Sequence, residues 1–146
     1  MIALACDHGA LELKEAIKKH LEELGLAYRD FGTDSKDSCD YPDFAGPAAK
    51  AVASGACEKG IVCCTTGIGV SIVANKVPGV RCALLHDHMS ARLTRQHNDA
   101  NMMALGAAIC SPMMAMELID IFLNTEFQGG RHQRRVDKIT ALEQAR

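Results

Sequence analysis

The chain has 146 residues, of which 48% are hydrophobic and 23% are charged, and its formal net charge is -2. This length and composition predict one globular domain over residues 1–146 with a single buried core. The slightly negative charge argues against nucleic acid as a partner, and no apolar run approaches the roughly 20 residues that a membrane-spanning helix needs.

Short apolar segments alternate with helical patterns along the whole chain. Strands are predicted over residues 2–6, 26–31, 60–64, 80–85 and 102–110. Helices are predicted over residues 10–24, 44–54, 68–76, 89–97, 113–123 and 133–144. Residues 32–42 form a polar loop. Strands that are apolar on both faces and alternate with helices predict an α/β fold, in which helices cover both faces of a parallel sheet.

Right-handed crossovers favour a five-stranded doubly wound sheet in the order 2-1-3-4-5. Ligands of such folds bind at the carboxyl ends of the strands, here between strands 1 and 3. The last helix has no following strand, so we expect an extra C-terminal helix that packs on a neighbouring subunit.

The cysteine pattern indicates free thiols. The seven cysteines lie at positions 6, 39, 57, 63, 64, 82 and 110. Their number is odd, no Cys-x-x-Cys pair occurs and most lie in apolar runs, which favours buried thiols in a reducing cytoplasm. Because paired ligand spacing is missing, no structural zinc site is expected. Asp7 and His8 interrupt the first apolar stretch, which does not fit a signal peptide.

Two loops at the predicted binding edge carry the strongest chemical signals. The loop after strand 1 reads Cys-Asp-His-Gly at 6–9, and the loop after strand 3 runs from Cys64 through Gly67 and Gly69 to Ser71. The glycines allow close approach of a ligand, and the next helix directs free N–H groups at it. A Cys64 thiolate there could accept a carbon-bound proton while N–H groups stabilise an enolate oxygen.

Each of these signals also has a purely structural interpretation. The glycines could serve only tight packing, and Cys64 could be one more buried thiol. Cys63, which alternation directs to the opposite side of the strand, is predicted to be a packing residue. Asp7 could cap the helix that follows it. His97 could move protons near neutral pH or could be an ordinary surface histidine.

Two charged segments are interpreted in the same way. Arg131 and Arg135 lie four residues apart, so on one helical face they could clamp a phosphate, or they could form a solvated basic face. The run from His86 to His88 resembles a metal motif. Alternate residues project oppositely in a strand and no third ligand is evident, so no metal is expected there.

Together these segments resemble the ribose-5-phosphate isomerase B family, within the ribose/galactose isomerase superfamily, over essentially the whole chain. The matching segments are CDHG at 6–9, DFGT at 30–33, DYPDF at 40–44, TGIGVSIVANKVPGVR at 66–81, SARLTRQHNDAN at 90–101 and FQGGRHQRRV at 127–136. The resemblance implies a Rossmann-like αβα sandwich that needs no metal or cofactor. It also implies a homodimer or dimer of dimers, with active sites at the subunit interface.

The resemblance assigns catalytic roles to particular residues. Cys64 matches the cysteine that moves a proton between C1 and C2 of a sugar phosphate. Thr66 belongs to the loop that surrounds the enediolate, together with Gly67, Ile68, Gly69 and Val70. Asp7 and His97 match residues that handle the sugar hydroxyls, with His97 assisting ring opening.

The resemblance assigns binding roles as well. Asn98 matches a substrate-binding amide, and Tyr41 an aromatic at the mouth of the site. His8, Arg131 and Arg135 match phosphate ligands, part of which come from the partner subunit.

Two residues depart from the family pattern. Thr65 stands where the family usually has glycine, and Ala108 where many members carry an arginine that helps to bind phosphate. Loss of a charged hydrogen bond there would weaken phosphate binding by about 1.5–3 kcal/mol unless another cation substitutes. Both departures bear on the identity of the sugar more than on the reaction type.

Three functions are therefore considered. The first is isomerisation of ribose 5-phosphate to ribulose 5-phosphate through a cis-enediolate. The second is the same reaction on a six-carbon aldose phosphate such as allose 6-phosphate or galactose 6-phosphate. The third is a non-enzymatic relative, either a flavodoxin-like carrier or a receiver module. The lack of tryptophan and the cysteine at the end of strand 3, where a receiver needs aspartate, disfavour the third.

Overall fold

The computed structural model describes residues 1–145, in which five strands, six α-helices and one 3-10 turn follow one another. The strands are β1 (Ile2–Cys6), β2 (Tyr28–Asp30), β3 (Lys59–Cys64), β4 (Cys82–Leu84) and β5 (Met102–Gly106). The helices are α1 (Leu11–Glu23), α2 (Pro42–Ala53), α3 (Ile68–Asn75), α4 (His88–Asn98), α5 (Pro112–Asn124) and α6 (Arg131–Gln144), and the 3-10 turn is His8–Ala10. The predicted elements all occur, with ends that differ by at most four residues.

The strands form one parallel sheet in the order β2-β1-β3-β5-β4. The predicted α/β class is confirmed, but the predicted order 2-1-3-4-5 is wrong for the last two strands. All five residues of β5 are buried, whereas the three residues of β4 are only half-buried. A strand that is apolar on both faces gains most at the centre of a sheet, so β5 lies inside and β4 forms the edge.

This reversal at β4 decides which helices share a face of the sheet. A right-handed crossover that steps back from β4 to β5 places α4 on the opposite face from α3. Leu4 and Cys6 therefore pack with residues of α1, α4 and α5, on what we call the α1 face. Ala3 and Ala5 pack with residues of α2 and α3, on the α2 face.

The fifth strand ends earlier than its apolar run predicts. The Ala107 N–H donates to the Cys64 carbonyl at 2.9 Å, and the Ala108 N–H donates to the Thr65 carbonyl at 2.9 Å. These bonds turn the chain across the end of β3 instead of continuing β5. The turn brings residues 107 and 108 beside the loop that begins at Cys64.

A fully buried lysine ties the end of β2 to the end of β1. Lys14 contacts the Asp30 carboxylate at 2.8 Å and also donates to the Thr33 carbonyl. Although burial opposes the charge, the hydrogen bond with Asp30 raises the pKa of Lys14. The Thr33 N–H donates in turn to the Cys6 carbonyl at 2.7 Å. The network thus holds residues 30–33 against the end of the strand that carries Asp7.

Helix α6 packs on α4 of its own chain rather than on the sheet. His132 and Val136 are its buried residues, and the His132 ring stacks on His97 of α4. The expected packing of this helix on a neighbouring subunit is a prediction that a single chain does not test. Within residues 1–145, the helices lack the length and apolar character needed to cross a membrane.

Candidate active site

Cys64 is the last residue of β3 and is 5% exposed. Its Sγ accepts a hydrogen bond from the Gly67 N–H at 3.1 Å. The sulfur therefore lies against a backbone N–H donor of the loop that follows β3. Cys63 lies on the α1 face and is completely buried, and burial raises its pKa well above the ordinary value. The two adjacent cysteines therefore differ as alternation predicts, with Cys63 a packing residue.

The loop after Cys64 approaches β5 closely because it contains glycine. Gly67 has a φ of 79°, and a Cβ there would lie 2.8 Å from the backbone carbon of Leu105. A Cβ at Gly106 would lie 2.6 Å from the Thr66 carbonyl. The loop leads into α3, whose first turn has no side-chain cap. The Ile68 N–H donates to the Thr66 Oγ1 at 3.2 Å, which leaves the N–H groups of Gly69 and Val70 for an oxyanion at this edge of the sheet.

Asp7 and His8 follow β1 at the same edge of the sheet. Asp7 is 7% exposed, and its Oδ1 accepts from the Gly9 N–H at 2.9 Å, so it caps the 3-10 turn as the structural interpretation predicts. His8 is exposed, and its Nδ1 accepts from the Cys39 N–H at 3.2 Å. In the neutral ring this leaves the proton on Nε2, which is then a donor for a ligand.

Tyr41 covers the glycine loop. Its side chain lies at the start of α2, and a Cβ at Gly69 would lie 2.7 Å from the Tyr41 Cζ. Glycine at 69 thus makes room for the ring. We call Asp7, His8, Tyr41, Cys64 and the loop 65–70 the strand-end cluster, since all of them lie where parallel strands end or helices begin.

A cleft of about 520 Å³ opens beside this cluster. It is lined by residues of the β1–α1 turn, of the first turn of α1 and of the β5–α5 turn, together with Thr65 and Lys36. Thr65 Oγ1 lies so close to Gly9 that a side chain at Gly9 would collide with it. Ala108 is exposed on the wall of the cleft. The two departures from the family pattern therefore border the same space.

The remaining predicted residues form a second group, which we call the helix cluster. It consists of His97 and Asn98 at the end of α4 and of Arg131 and Arg135 on α6, together with His132, which lies between the two arginines and was not predicted. The His97 and His132 rings stack with centroids 4.2 Å apart and an interplanar angle of 12°. Arg131 and Arg135 are exposed, while His132 is 6% exposed and its Nε2 is buried without a hydrogen-bond partner. Burial lowers the pKa of His132, and His97, Arg131 and Arg135 lower it further.

Within one chain the two clusters lie at opposite ends of the sheet. The 11-residue helix α4 runs antiparallel to the strands over about 16 Å. At its end, the Asn98 carbonyl accepts from Arg81 Nε at 2.9 Å, and Arg81 precedes β4. The helix cluster thus lies near the amino ends of the strands, whereas Cys64 lies at a carboxyl end. A single chain does not bring His97 or the arginine pair to the Cys64 loop.

The segment 86–88 serves the start of α4. The Asp87 carboxylate caps the helix by accepting from the Ser90 N–H at 2.8 Å, and His88 Nε2 contacts Glu117 at 3.0 Å. In the part of the chain that the structure describes, no three His, Cys, Asp or Glu side chains are grouped so that they could hold a metal ion. All seven cysteines are free.

Three residues near the site are not found by motif analysis. The sequence does mark Lys14, because this charged residue lies between Leu13 and Ile17 among the positions of α1 that face the core. His132 is marked more weakly, as the histidine between Arg131 and Arg135, the two residues predicted to bind phosphate. For the contact between Cys39 and His8, which are 31 residues apart, the sequence carries no signal.

Comparison with known proteins identifies relatives over nearly the whole chain. The Ribose/Galactose Isomerase family model matches residues 2–139. Ribose-5-phosphate isomerase B of Escherichia coli is 45% identical over 145 residues, covering 99% of this chain and 97% of the relative.

Solved structures agree with this relationship. Ribose-5-phosphate isomerase B of Clostridium thermocellum superposes with a TM-score of 0.97 at 47% identity, covering 99% of this chain and 97% of that one. The enzyme of Mycoplasma genitalium with bound ribulose-5-phosphate superposes with a TM-score of 0.94 at 41% identity, covering 98% and 95%.

Proposed function

This chain belongs to the ribose/galactose isomerase family, and we propose that it interconverts ribose 5-phosphate and ribulose 5-phosphate with Cys64 as the base. The observation that carries the proposal is the Cys64 Sγ at the end of β3, 3.1 Å from the Gly67 N–H and next to the start of α3. Sugar-phosphate isomerisation needs a base and an anion hole on adjacent atoms, and this loop provides both.

The proton transfer follows from that arrangement. The Cys64 thiolate removes the proton from C2 of the open-chain aldose, and the electron pair forms a C1–C2 double bond while charge develops on O1. The loop from Thr66 to Val70 stabilises the resulting cis-enediolate through its N–H groups and the Thr66 hydroxyl. Transfer of a proton between O2 and O1, and return of the sulfur-bound proton to C1, complete the ketose.

The hydroxyl groups and the phosphate need further residues. We assign the hydroxyl protons to Asp7, which lies beside the loop, and to His97, which opens the furanose ring. Asn98 and Tyr41 bind the sugar, and His8, Arg131 and Arg135 bind the phosphate. All of these steps use side chains and backbone N–H groups of the protein, so the proposal includes no metal and no cofactor.

Because the helix cluster lies far from Cys64 in one chain, the proposed site is completed by a second copy. Two copies in a dimer, or in a dimer of dimers, would bring the helix cluster of one chain to the strand-end cluster of the other. Ile68 and Ile72, which are 51% and 55% exposed on α3 beside the loop, offer an apolar surface for such contact. The free thiols fit a reducing cytoplasm as the place of action.

Solvent deuterium exchange at substrate C2 tests the base. Cys64→Ala is expected to abolish both isomerisation and exchange, because exchange requires only the proton-removing step. Cys63→Ala is the matched control, since it removes the neighbouring thiol on the opposite face and is expected to retain exchange. Exchange that persists in Cys64→Ala would show that another group is the base.

The wide cleft beside Thr65 and Ala108 favours a second candidate, a six-carbon aldose phosphate such as allose 6-phosphate or galactose 6-phosphate. Both residues that depart from the family pattern border this cleft of about 520 Å³. Comparison of kcat/KM for five- and six-carbon aldose phosphates separates the two candidates. Higher kcat/KM for a six-carbon sugar would identify that sugar as the better substrate and leave the proposed chemistry unchanged.

A further inference from the structure

We propose that Lys36 binds the substrate phosphate in the cleft between the β1–α1 and β5–α5 turns, a role that rests on the proposed function. Lys36 lies in the loop between β2 and α2 and lines the cleft together with His8, Thr65 and Ala108. Nothing in its sequence neighbourhood, Asp-Ser-Lys-Asp-Ser, marks it as a ligand.

The lining of the cleft is suited to an anion. Gly9, Ala107 and Ala108 contribute small groups, so the space is not filled by side chains. Among the residues that line it, Lys36 is the only lysine or arginine, and His8 contributes a further donor. A phosphate that extends from a sugar at Cys64 into this space therefore has one permanent cation available on this chain.

One loop positions both donors. The Cys39 N–H donates to His8 Nδ1 at 3.2 Å, which leaves Nε2–H of the neutral ring free to donate. Lys36 lies three residues before Cys39 in that loop. The same segment thus orients the imidazole and presents the ammonium group, and both side chains line the cleft.

The carboxylate of Glu12 pairs with Lys36 in the lining of the cleft. Lys36 Nζ contacts Glu12 Oε1 at 3.0 Å, and the two side chains are 70% and 86% exposed. An ion pair so exposed is weak, so a phosphate dianion can displace the carboxylate. Glu12 also lines the cleft, where its charge repels the phosphate. The pair therefore contains one group that attracts the ligand and one that opposes it.

This arrangement predicts opposite effects for the two partners. Lys36→Met is expected to raise KM for ribose 5-phosphate about tenfold, because it removes one charged hydrogen bond to the phosphate. Little change in kcat is expected. Glu12→Gln is expected to lower KM, because it removes the repulsion and releases Lys36. If the pair served only to hold the loop, both substitutions would break it and would shift KM in the same direction, which would overturn the proposal.

Matched variants and a simple anion complete the test. Lys50→Met removes an exposed lysine of α2 outside the cleft and is expected to leave KM unchanged. Inorganic phosphate as a competitive inhibitor is expected to bind about tenfold more weakly to Lys36→Met than to the unaltered enzyme. Ala108→Arg places a guanidinium on the wall of the same cleft and is expected to restore KM in the Lys36→Met background.

Failure of this proposal is distinguishable from failure of the proposed function. An unaltered protein that isomerises no phosphorylated aldose contradicts the proposed function. An active protein whose KM and phosphate inhibition are the same in Lys36→Met contradicts the role of Lys36 alone.

Discussion

The strand-end cluster and the helix cluster are built in different ways. Cys64 and its loop are held by backbone hydrogen bonds and by close contact with β5, where side chains at Gly67 and Gly106 would not fit. His97 and the two arginines project from the surfaces of two helices, with Arg131 and Arg135 exposed. The first construction suits a base and N–H donors that must be aligned before the reaction. The second suits long cationic side chains that meet a substrate from outside.

A test for shared sites gives the largest expected effect. Cys64→Ala damages the strand-end cluster of every chain, and His97→Asn damages the helix cluster of every chain. Since each proposed site needs one cluster of each kind, either variant alone is expected to be nearly inactive. When the two variants are refolded together, a mixed dimer contains one site with both defects and one intact site. With random pairing, the mixture is expected to recover about a quarter of the unaltered activity.

The control for this mixture is each variant refolded with itself, measured at the same total concentration. Recovery no greater than the sum of the two separate activities would show that the clusters do not combine across chains. With an affinity tag on one of the two variants, co-purification of the untagged variant would confirm that mixed dimers had formed.

The backbone construction of the strand-end cluster is tested at Gly106. Gly106→Ala places a Cβ 2.6 Å from the backbone of Thr66 and must displace the loop that holds the N–H donors. A displacement of about 1 Å in such a site costs on the order of a hundredfold in rate. We expect a fall in kcat of that size, with a stability loss of about 1–3 kcal/mol from overpacking. Steady-state kinetics and urea unfolding measure the two effects.

Gly46→Ala is the matched control for Gly106→Ala. Gly46 lies inside α2, and a Cβ there meets nothing within 4 Å. The substitution is expected to leave kcat unchanged, and the usual gain in stability from replacing a helical glycine is opposed here by Pro47, which disfavours helical backbone for a preceding residue with a Cβ. If Gly106→Ala retained full kcat, close contact between β5 and the loop would not be needed for activity.

The smallest expected effect is a change in the pH dependence of stability, caused by His132, the buried histidine of the helix cluster. Burial and the charges of His97, Arg131 and Arg135 lower the pKa of His132 from its ordinary 6.5. Below about pH 6.5 the unfolded chain therefore binds a proton that the native chain does not. The stability that neutral His132 contributes is present above that pH, and it is lost as the pH falls through the range between the unfolded and folded pKa values.

His132→Phe retains a ring that can stack on His97 but carries no titratable group. Between pH 7.5 and pH 5.5, the urea midpoint of the unaltered protein is expected to fall by more than that of His132→Phe. Equal falls in the two proteins would show that His132 does not titrate differently on folding. The other histidines are present in both proteins, so the contributions of those that do not contact residue 132 cancel.

Much of the fold follows from local patterns that the sequence displays directly. The spacing of apolar residues predicts each helix and strand to within a few residues. Strands β1, β3 and β5, for example, are apolar at almost every position. The same runs place Asp7 and Cys64 at the ends of strands and predict that Cys63 and Cys64 face opposite sides. These properties depend on neighbours in the chain, so no tertiary information is required.

Tertiary structure alone decides the order of β4 and β5, the burial of Lys14 and the separation of His97 from Cys64. The position of a strand in a sheet depends on which segments cover its two faces, and those segments are far away in the sequence. A buried lysine is stable only where Asp30 and the Thr33 carbonyl converge on it. His97 and Cys64 lie apart because α4 reverses the direction of the chain, a relation between whole elements that no local motif contains.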